Sequence, residues 1–580
     1  MKSLITGCFL LLTKIAFTQD TINPFIRLVN PFKATNDVKW SRQFIIGATC
    51  KTCSLSINNK PTKVYPTGAF AHEINLVPGD STIVMIAYGN AKTSSKRLTY
   101  SYTLPKPAES VKVLAIESIQ TFPEGNLVLM PGDKIKFKVK ALHGSMVKTN
   151  NGIVLYEMPL TRTNSMPGIY QGEYTITAKD SFNAAKMTIT LTDTAGISVS
   201  RQTVNNFSVL SPLASNIAIT KGRLAHLEYG LGDDRLGGAK IGYIDSNIVL
   251  NITGKVGSHY RVQLAKTLAA YIPDELVELT PKGTYTPESL TTNWNVYGDE
   301  KYDYVKVGLF ARLPYQSFQL INPSKIIVDV FGATNNTNWI TQMETVKEIA
   351  NVYYEQKEDD ILRITIELKH AQHWGHQLYY QGNTLVIKVK HQPETLTLKN
   401  LVVAVDAGHG GTNNGAVGPT GVYEKELTLA LSLKLQKALE KEGAIVIMTR
   451  TKENFFDNKE RILFYRDSLP DLLLSVHLNS SADPLRVGGT GTFYRYPGFR
   501  NLSHDIYKRI LELGLKEYGN TGSFNFMLNS PTEYPNVCIE TLFLSNPEEE
   551  MKVLDEKFQQ QMVGKIVQGV KDFLEGAKEK

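Results

Sequence analysis

The feature that most constrains this chain is a change of hydrophobic period near Thr395. Across residues 20–393 the sequence runs in short stretches where apolar and polar residues alternate, punctuated by Gly, Pro and Asn. Ser54-Leu55-Ser56-Ile57, Lys134-Ile135-Lys136-Phe137-Lys138-Val139 and Met187-Thr188-Ile189-Thr190-Leu191 are examples. Period two with β-branched residues sends successive side chains to opposite faces of a half-buried strand, and many such strands in series predict sandwiches or small barrels. Breaks at Pro105-Lys106-Pro107, at Ser211-Pro212 and across 284–292 divide the region into β-modules at 19–105, 106–211, 212–284 and 293–393.

Beyond Thr395 strand-like and helix-like segments alternate. Leu401-Val402-Val403-Ala404-Val405 is a continuous apolar run, as expected of a strand buried on both faces. A glycine-rich loop follows, then a helix over about 424–441 with Leu427, Leu431, Leu435, Ala438 and Leu439 along one face and Gly443 where a C-terminal cap belongs. Residues 444–448 and 472–476 read as further strands, and Phe558, Met562, Val563, Ile566, Val567, Val570 and Phe573 form the stripe of a final helix. The fold class expected is therefore multidomain, with several N-terminal all-β modules followed by an α/β domain at 398–580 with a mostly parallel sheet. A chain of 580 residues has room for these parts at roughly 100–200 residues per domain.

Composition narrows the function classes. With 63 Lys+Arg against 56 Asp+Glu the net charge is +7, a mild excess compatible with an anionic wall but not the signature of a nucleic-acid-binding protein. Met1-Lys2, the apolar stretch through Leu12 and Ala16-Phe17-Thr18 have the parts of a secretory signal over 1–18. Lipidation at Cys8 is the rival reading, with fewer residues before the cysteine than a normal apolar core needs. No later segment offers the roughly 20 apolar residues of a membrane span, so the expected protein is exported, to the periplasm or cell envelope. Cys50 and Cys53 stand as a C-x-x-C pair without a second pair for a zinc ribbon, which leaves a local disulfide or two loop thiols. Cys538 reads as a small core residue.

The chemistry-bearing residues fall where strands of the last domain hand over to loops or helices. His409 follows the first strand in Asp406-Ala407-Gly408-His409-Gly410-Gly411, Glu424 opens the next helix, and His477 follows an apolar strand in Leu474-Ser475-Val476-His477-Leu478-Asn479-Ser480. Ligands of open α/β sheets bind outside the carboxyl ends of strands. Two imidazoles and a carboxylate are the His₂Glu set of a catalytic zinc site, with a fourth position for water. Singly, each is as readily a satisfied loop or core residue, and spacing alone leaves both readings standing. Glu426 competes with Glu424, but on a helix the two point in different directions, so only one can face a metal. His370, His373 and His376 also sit at regular spacing in His370-Ala371-Gln372-His373-Trp374-Gly375-His376. Strand-like flanks and the lack of a carboxylate within the cluster argue against a metal there.

The last domain resembles the zinc-dependent N-acetylmuramoyl-L-alanine amidases of bacterial cell-wall turnover. The matching stretches are Val405-Asp406-Ala407-Gly408-His409-Gly410-Gly411, Gly415-Ala416-Val417-Gly418, Glu424-Lys425-Glu426, Met448-Thr449-Arg450, Ser475-Val476-His477-Leu478-Asn479-Ser480, and Ile539-Glu540-Thr541-Leu542-Phe543-Leu544-Ser545-Asn546-Pro547. They occur in the family's order, with Ala407 where the family often has Pro. The resemblance implies His409, Glu424 and His477 as ligands of Zn²⁺ and Glu540 as the catalytic acid/base. It implies peptidoglycan as the partner, and hydrolysis of the amide between N-acetylmuramic acid and L-alanine as the reaction. The alternatives are an inactive wall-binding scaffold, or a zinc peptidase or deacetylase on another exported substrate. Some members carry a regulatory helix after the second histidine; here Asp483-Pro484-Leu485-Arg486-Val487 leads straight into Gly488-Gly489, which predicts an uncovered site. The sequence does not reveal an activator protein. The 293–393 region resembles the AMIN modules that often precede such enzymes. Residues 217–283 resemble small bacterial Src-homology-type barrels, and 45–105 a bacterial immunoglobulin-like sandwich; the resemblances imply modules that target the wall, while the basic and aromatic residues of the last two read equally as glycan-stacking groups or as a solvated face over an ordinary core.

Overall fold

The computed structural model describes residues 23–104, 109–210, 216–232, 236–281 and 283–578. The expected signal segment and Cys8 lie outside them. No helix among the described residues is long and apolar enough to cross a membrane.

The alternating stretches form strands, and four β-rich units precede the α/β unit. In the first, the three-stranded sheet of Arg27–Asn30, Arg42–Ala48 and Ala69–Asn75 is accompanied by a five-stranded sheet containing Gly79–Gly89 and Lys92–Tyr102. Phe70, Ile57, Met85 and Leu98 fill its core. Cys50 and Cys53 form a disulfide, which decides between the disulfide and the two free thiols left open by the sequence. The second unit is a seven-stranded sheet, but two short strands beside it, Leu127–Leu129 and Phe207–Val209, pair with each other, and Leu127–Leu129 also pairs with Val249–Val256 of the third unit. Backbone pairing thus crosses the break at Ser211-Pro212. The fourth unit stacks a five-stranded sheet on a four-stranded one around Trp294, Val305, Ile364 and Ile387.

In the α/β unit the strands are β1 (Val402–Ala407), β2 (Ile445–Ile447), β3 (Leu472–Asn479), β4 (Thr490–Phe493), β5 (Glu517–Thr521) and β6 (Asn536–Phe543). They lie in the order β2-β1-β3-β6-β4-β5. Neighbours run parallel except β4 against β6. The helices are α1 (Glu424–Lys441), α2 (Asn458–Ser468), α3 (Arg500–Leu511), α4 (Pro547–Leu554) and α5 (Glu556–Gly576). Helix α1 spans the expected residues and buries Leu427, Leu431, Leu435 and Leu439. Each such leucine contributes roughly 1.5–3 kcal/mol relative to exposure. The chain leaves the helix through Gly443 at φ +89°, a conformation that costs glycine little. The stripe on α5 is buried against the same core. Helix α2 has no counterpart in the sequence reading.

The histidine-rich loop joins the fourth unit to the α/β unit. Trp374 is 1% exposed, lies 5.6 Å from the Phe573 ring of α5 and shares one apolar cluster with Val405, Leu435 and Leu474. Beside it Gln372 Nε2 donates to Gly498 O at 2.7 Å, and Gly498 N donates to Gln319 Oε1 at 2.9 Å. Each imidazole of the loop has its own partner: His370 Nδ1 with Glu348 at 2.8 Å, His373 Nε2 with Leu320 O at 2.8 Å, His376 Nε2 with Ser317 Oγ at 2.9 Å. Burial pushes His373 down to about 4 and His376 to about 3, so both rings are neutral at physiological pH. The first unit touches the connection between β3 and β4, where Arg42 pairs with Asp483 and Arg486 with Glu73 at 2.6 Å. That connection contains no helix.

Candidate metal centre

Three segments at the carboxyl ends of β1 and β3 and the start of α1 bring His409, Glu424 and His477 together. One ligand atom from each lies within 4.8 Å of the other two. Glu424 Oε1 is 3.1 Å from His409 Nε2 and 3.2 Å from His477 Nδ1. The carboxylate is 3% exposed and is fixed by two backbone donors, Leu478 N to Oε1 at 2.9 Å and Ala416 N to Oε2 at 2.8 Å. Burial by itself would raise its pKa, but the contacts with both imidazoles outweigh that and hold it well below the ordinary carboxylate range. For His477 burial pulls downward, while Glu424 and the charges of Glu540 and Asp406 raise the ring's pKa.

The backbone is built for this approach. His409 sits at φ +62°, a left-handed conformation uncommon for a residue with a Cβ, and Gly410 and Gly411 continue it at +130° and +55°. A Cβ at Gly408 would lie 2.4 Å from His477 Cε1, and one at Gly415 would lie 2.5 Å from Glu424 Oε2 and 2.8 Å from His409 Cδ2. The glycine-rich loop thus makes room for the three side chains. His409 Nδ1 lies 3.0 Å from Asn413 Oδ1. A proton on Nδ1 facing that acceptor would leave Nε2 for a metal ion, the tautomer a metal ligand needs.

Glu540 lies on β6 directly beside His477 in the parallel register, so both side chains leave the same face of the sheet. It is half-buried, two residues after the buried Cys538, whose thiol is pushed up by burial. Glu426 is exposed, and its carboxylate accepts from Tyr423 N at the start of α1. Glu424 is therefore the one of the two that joins the histidines. A cleft of about 170 Å³ opens at His409 and His477, with Phe455, Phe526, Asn413 and Asp457 among its walls.

Sequence reasoning missed the support beneath the ligands. Arg461 of α2 is 2% exposed and pairs with the buried Asp406 at 2.7 Å. It also donates to Ala407 O at 2.7 Å and His409 O at 2.5 Å. Arg450 donates from Nε to Ala407 O at 3.1 Å and from Nη2 to Gly408 O at 2.9 Å. Three successive carbonyls leading into the strained His409 are thus held by two guanidinium groups. Asp406 accepts from Ser475 Oγ at 2.9 Å, tying β1 to the strand that carries His477. The signal for α2 was Asp457-Asn458-Lys459-Glu460, whose end residues form a capping box.

The profile of the N-acetylmuramoyl-L-alanine amidase family matches residues 403–572, and that of the AMIN domain matches 293–389. The uncharacterized protein YqiI of Bacillus subtilis (strain 168) is 31% identical over 181 residues, covering 30% of this chain and 86% of that protein. The probable cell wall amidase LytH of Staphylococcus aureus is 31% identical over 191 residues, or 33% of this chain and 64% of that protein. Among solved structures, an N-acetylmuramoyl-L-alanine amidase from Clostridium difficile 630 is 32% identical over 30% of this chain and 98% of its own, with a TM-score of 0.30. The His409, Glu424 and His477 segments all lie inside the matched α/β region, and through that region the chain belongs to the N-acetylmuramoyl-L-alanine amidase family, with an AMIN domain upstream.

Proposed function

We propose that the protein is a zinc-dependent hydrolase of peptidoglycan in the cell envelope, cleaving the amide between N-acetylmuramic acid and the L-alanine of the stem peptide. The observation that carries this is the convergence of His409, Glu424 and His477 within one ion's coordination distance, with Glu540 in register beside His477. The donor set fits zinc: two imidazoles and one ionised carboxylate beside a cleft. When bound, zinc supplies a Lewis acid that acidifies water and polarises a carbonyl.

The chain's own groups do the rest. The two imidazoles hold Glu424 ionised well below the ordinary carboxylate range, so it is available as a ligand at neutral pH. Asn413 keeps the His409 proton on Nδ1. Glu540 takes the proton of the attacking water and delivers it to the departing alanine nitrogen, help typically worth about 10²–10⁴ in rate. Arg461 and Arg450 hold the His409 backbone so that the ligand geometry persists between turnovers. The upstream β-units, the AMIN domain among them, serve to hold the enzyme on the wall, and the N-terminal segment serves to export it.

A muropeptide digest tests the reading. Free stem peptides released by the zinc-loaded protein are the expected products; shortened peptides would mean a peptidase, glucosamine products a deacetylase, and no products a scaffold. Glu540→Gln should abolish turnover while retaining zinc, whereas His477→Ala should lose both, as read by metal content and product release. Full activity in Glu540→Gln would remove the acid/base role.

A further inference from the structure

The third β-unit reaches the catalytic cleft. Phe526 stands in the connection between β5 and β6, is half-buried, and meets the His477 ring edge-on at 5.6 Å with an interplanar angle of 89°. It lines the cleft together with His409 and His477. Phe524, two residues earlier, packs at 4.6 Å on Phe493 of β4 and at 6.2 Å on Phe526. Between these two phenylalanines lies Asn525, which turns the other way. Its Nδ2 donates to Gly238 O at 2.8 Å and to Leu236 O at 3.3 Å, and its Oδ1 accepts from Lys240 N at 3.3 Å. All three partners belong to the turn at 236–240 of the third unit. Arg495 completes the bracket, donating to Asn525 Oδ1 at 2.9 Å and to the carbonyl of Lys240.

The segment's backbone bonds within the α/β unit lie at its two ends, Phe524 N to Tyr494 O at 3.0 Å and Asn529 N to Phe526 O at 3.1 Å, so side-chain contacts carry much of the placement of the loop between them. Here one amide side chain reads three backbone groups of another unit, while its neighbours on either side form the aromatic wall. We propose that Asn525 is a positioning residue: the 236–240 turn of the third β-unit fixes the Phe524–Phe526 segment and so sets how tightly the cleft fits its substrate. This rests on the amidase reading above. The third unit is then a structural part of the catalytic cleft, whatever else it binds. Loosening the wall weakens substrate fit and leaves the ligands of the metal in place, because His409 and Glu424 have their own partners and His477, besides meeting Phe526, is held by Glu424 at its ring and by Thr541 Oγ1 at its carbonyl.

The test compares the full-length zinc-loaded protein with Asn525→Ala, Phe526→Ala and Phe526→Leu, using a purified disaccharide-tripeptide muropeptide as substrate. Asn525→Ala and Phe526→Ala are expected to raise KM about tenfold, the range for loss of one apolar contact, with kcat and bound zinc retained; Phe526→Leu should recover most of the loss. Hydrogen exchange over residues 522–528 should quicken in Asn525→Ala while β6 keeps its protection. An unchanged KM in Asn525→Ala, unchanged exchange, or loss of zinc in that variant would each overturn the inference. Wild-type protein that released no stem peptide would instead refute the amidase reading, and the exchange measurement would still decide whether the turn holds the segment.

Discussion

At the scale of single residues the α/β unit is governed by how closely backbone and ligand side chains approach. Gly408→Ala places a methyl group against the His477 ring. It is expected to weaken zinc binding at least tenfold, the scale seen when groups that orient ligands are lost, as measured by competition with a chromogenic chelator. Arg461→Met leaves Asp406 as a buried carboxylate without its guanidinium, a loss of about 3–5 kcal/mol, readable as a lower midpoint in chemical denaturation. The ligands themselves were legible in the sequence because each sits in a short motif at a strand end. Asp406 and Arg461 were not legible as a pair. A salt bridge between residues so far apart leaves no periodic trace, and a buried arginine on α2 replaces the apolar residue that a pattern search looks for.

At the scale of elements, α1 and α5 were legible because their buried faces are runs of apolar residues at helical spacing. The amphipathic signal of α2 is weak, since it buries Arg461 together with only Ile462 and Tyr465. Helix α4 carries an element-scale prediction. Glu550 is fully buried, and its Oε1 accepts from Thr420 N and Oγ1 at 2.8 and 2.6 Å in the loop that precedes Glu424. Burial raises its pKa to about 7, only partly offset by those bonds and the charge of Arg27. A folded-state pKa above the unfolded one means the folded protein binds the proton more tightly. The resulting stabilisation is complete below about pH 4.5 and disappears as pH rises through about 7. Glu550→Gln, which keeps an acceptor for Thr420, should match wild type in Tm near pH 4.5 and exceed it at pH 8; equal pH dependence of the two proteins would count against this.

At the scale of the whole molecule the four β-units and the α/β unit are not beads on a string. The second and third share a sheet, the third brackets a wall of the cleft, and the fourth inserts Trp374 into the α/β core. The sequence predicted the β-rich and α/β parts from their periods, but it described their junctions only as breaks. An indole in a histidine-rich loop reads as a local feature until the fold brings Phe573 against it. The ion pairs from Arg42 and Glu73 to the β3–β4 connection are partly solvent-exposed and contribute little, about 0–1 kcal/mol each. Trp374→Ala should cost about 3–5 kcal/mol and lower the transition of the α/β unit as well as that of the AMIN domain, as seen by calorimetry.

That indole also bears on descent. Recombination that exchanged the AMIN domain for another surface module would leave a ring-sized void in the hydrolase, so a lineage carrying this junction passes on the two parts together or has to rebuild the interior of one to be rid of the other.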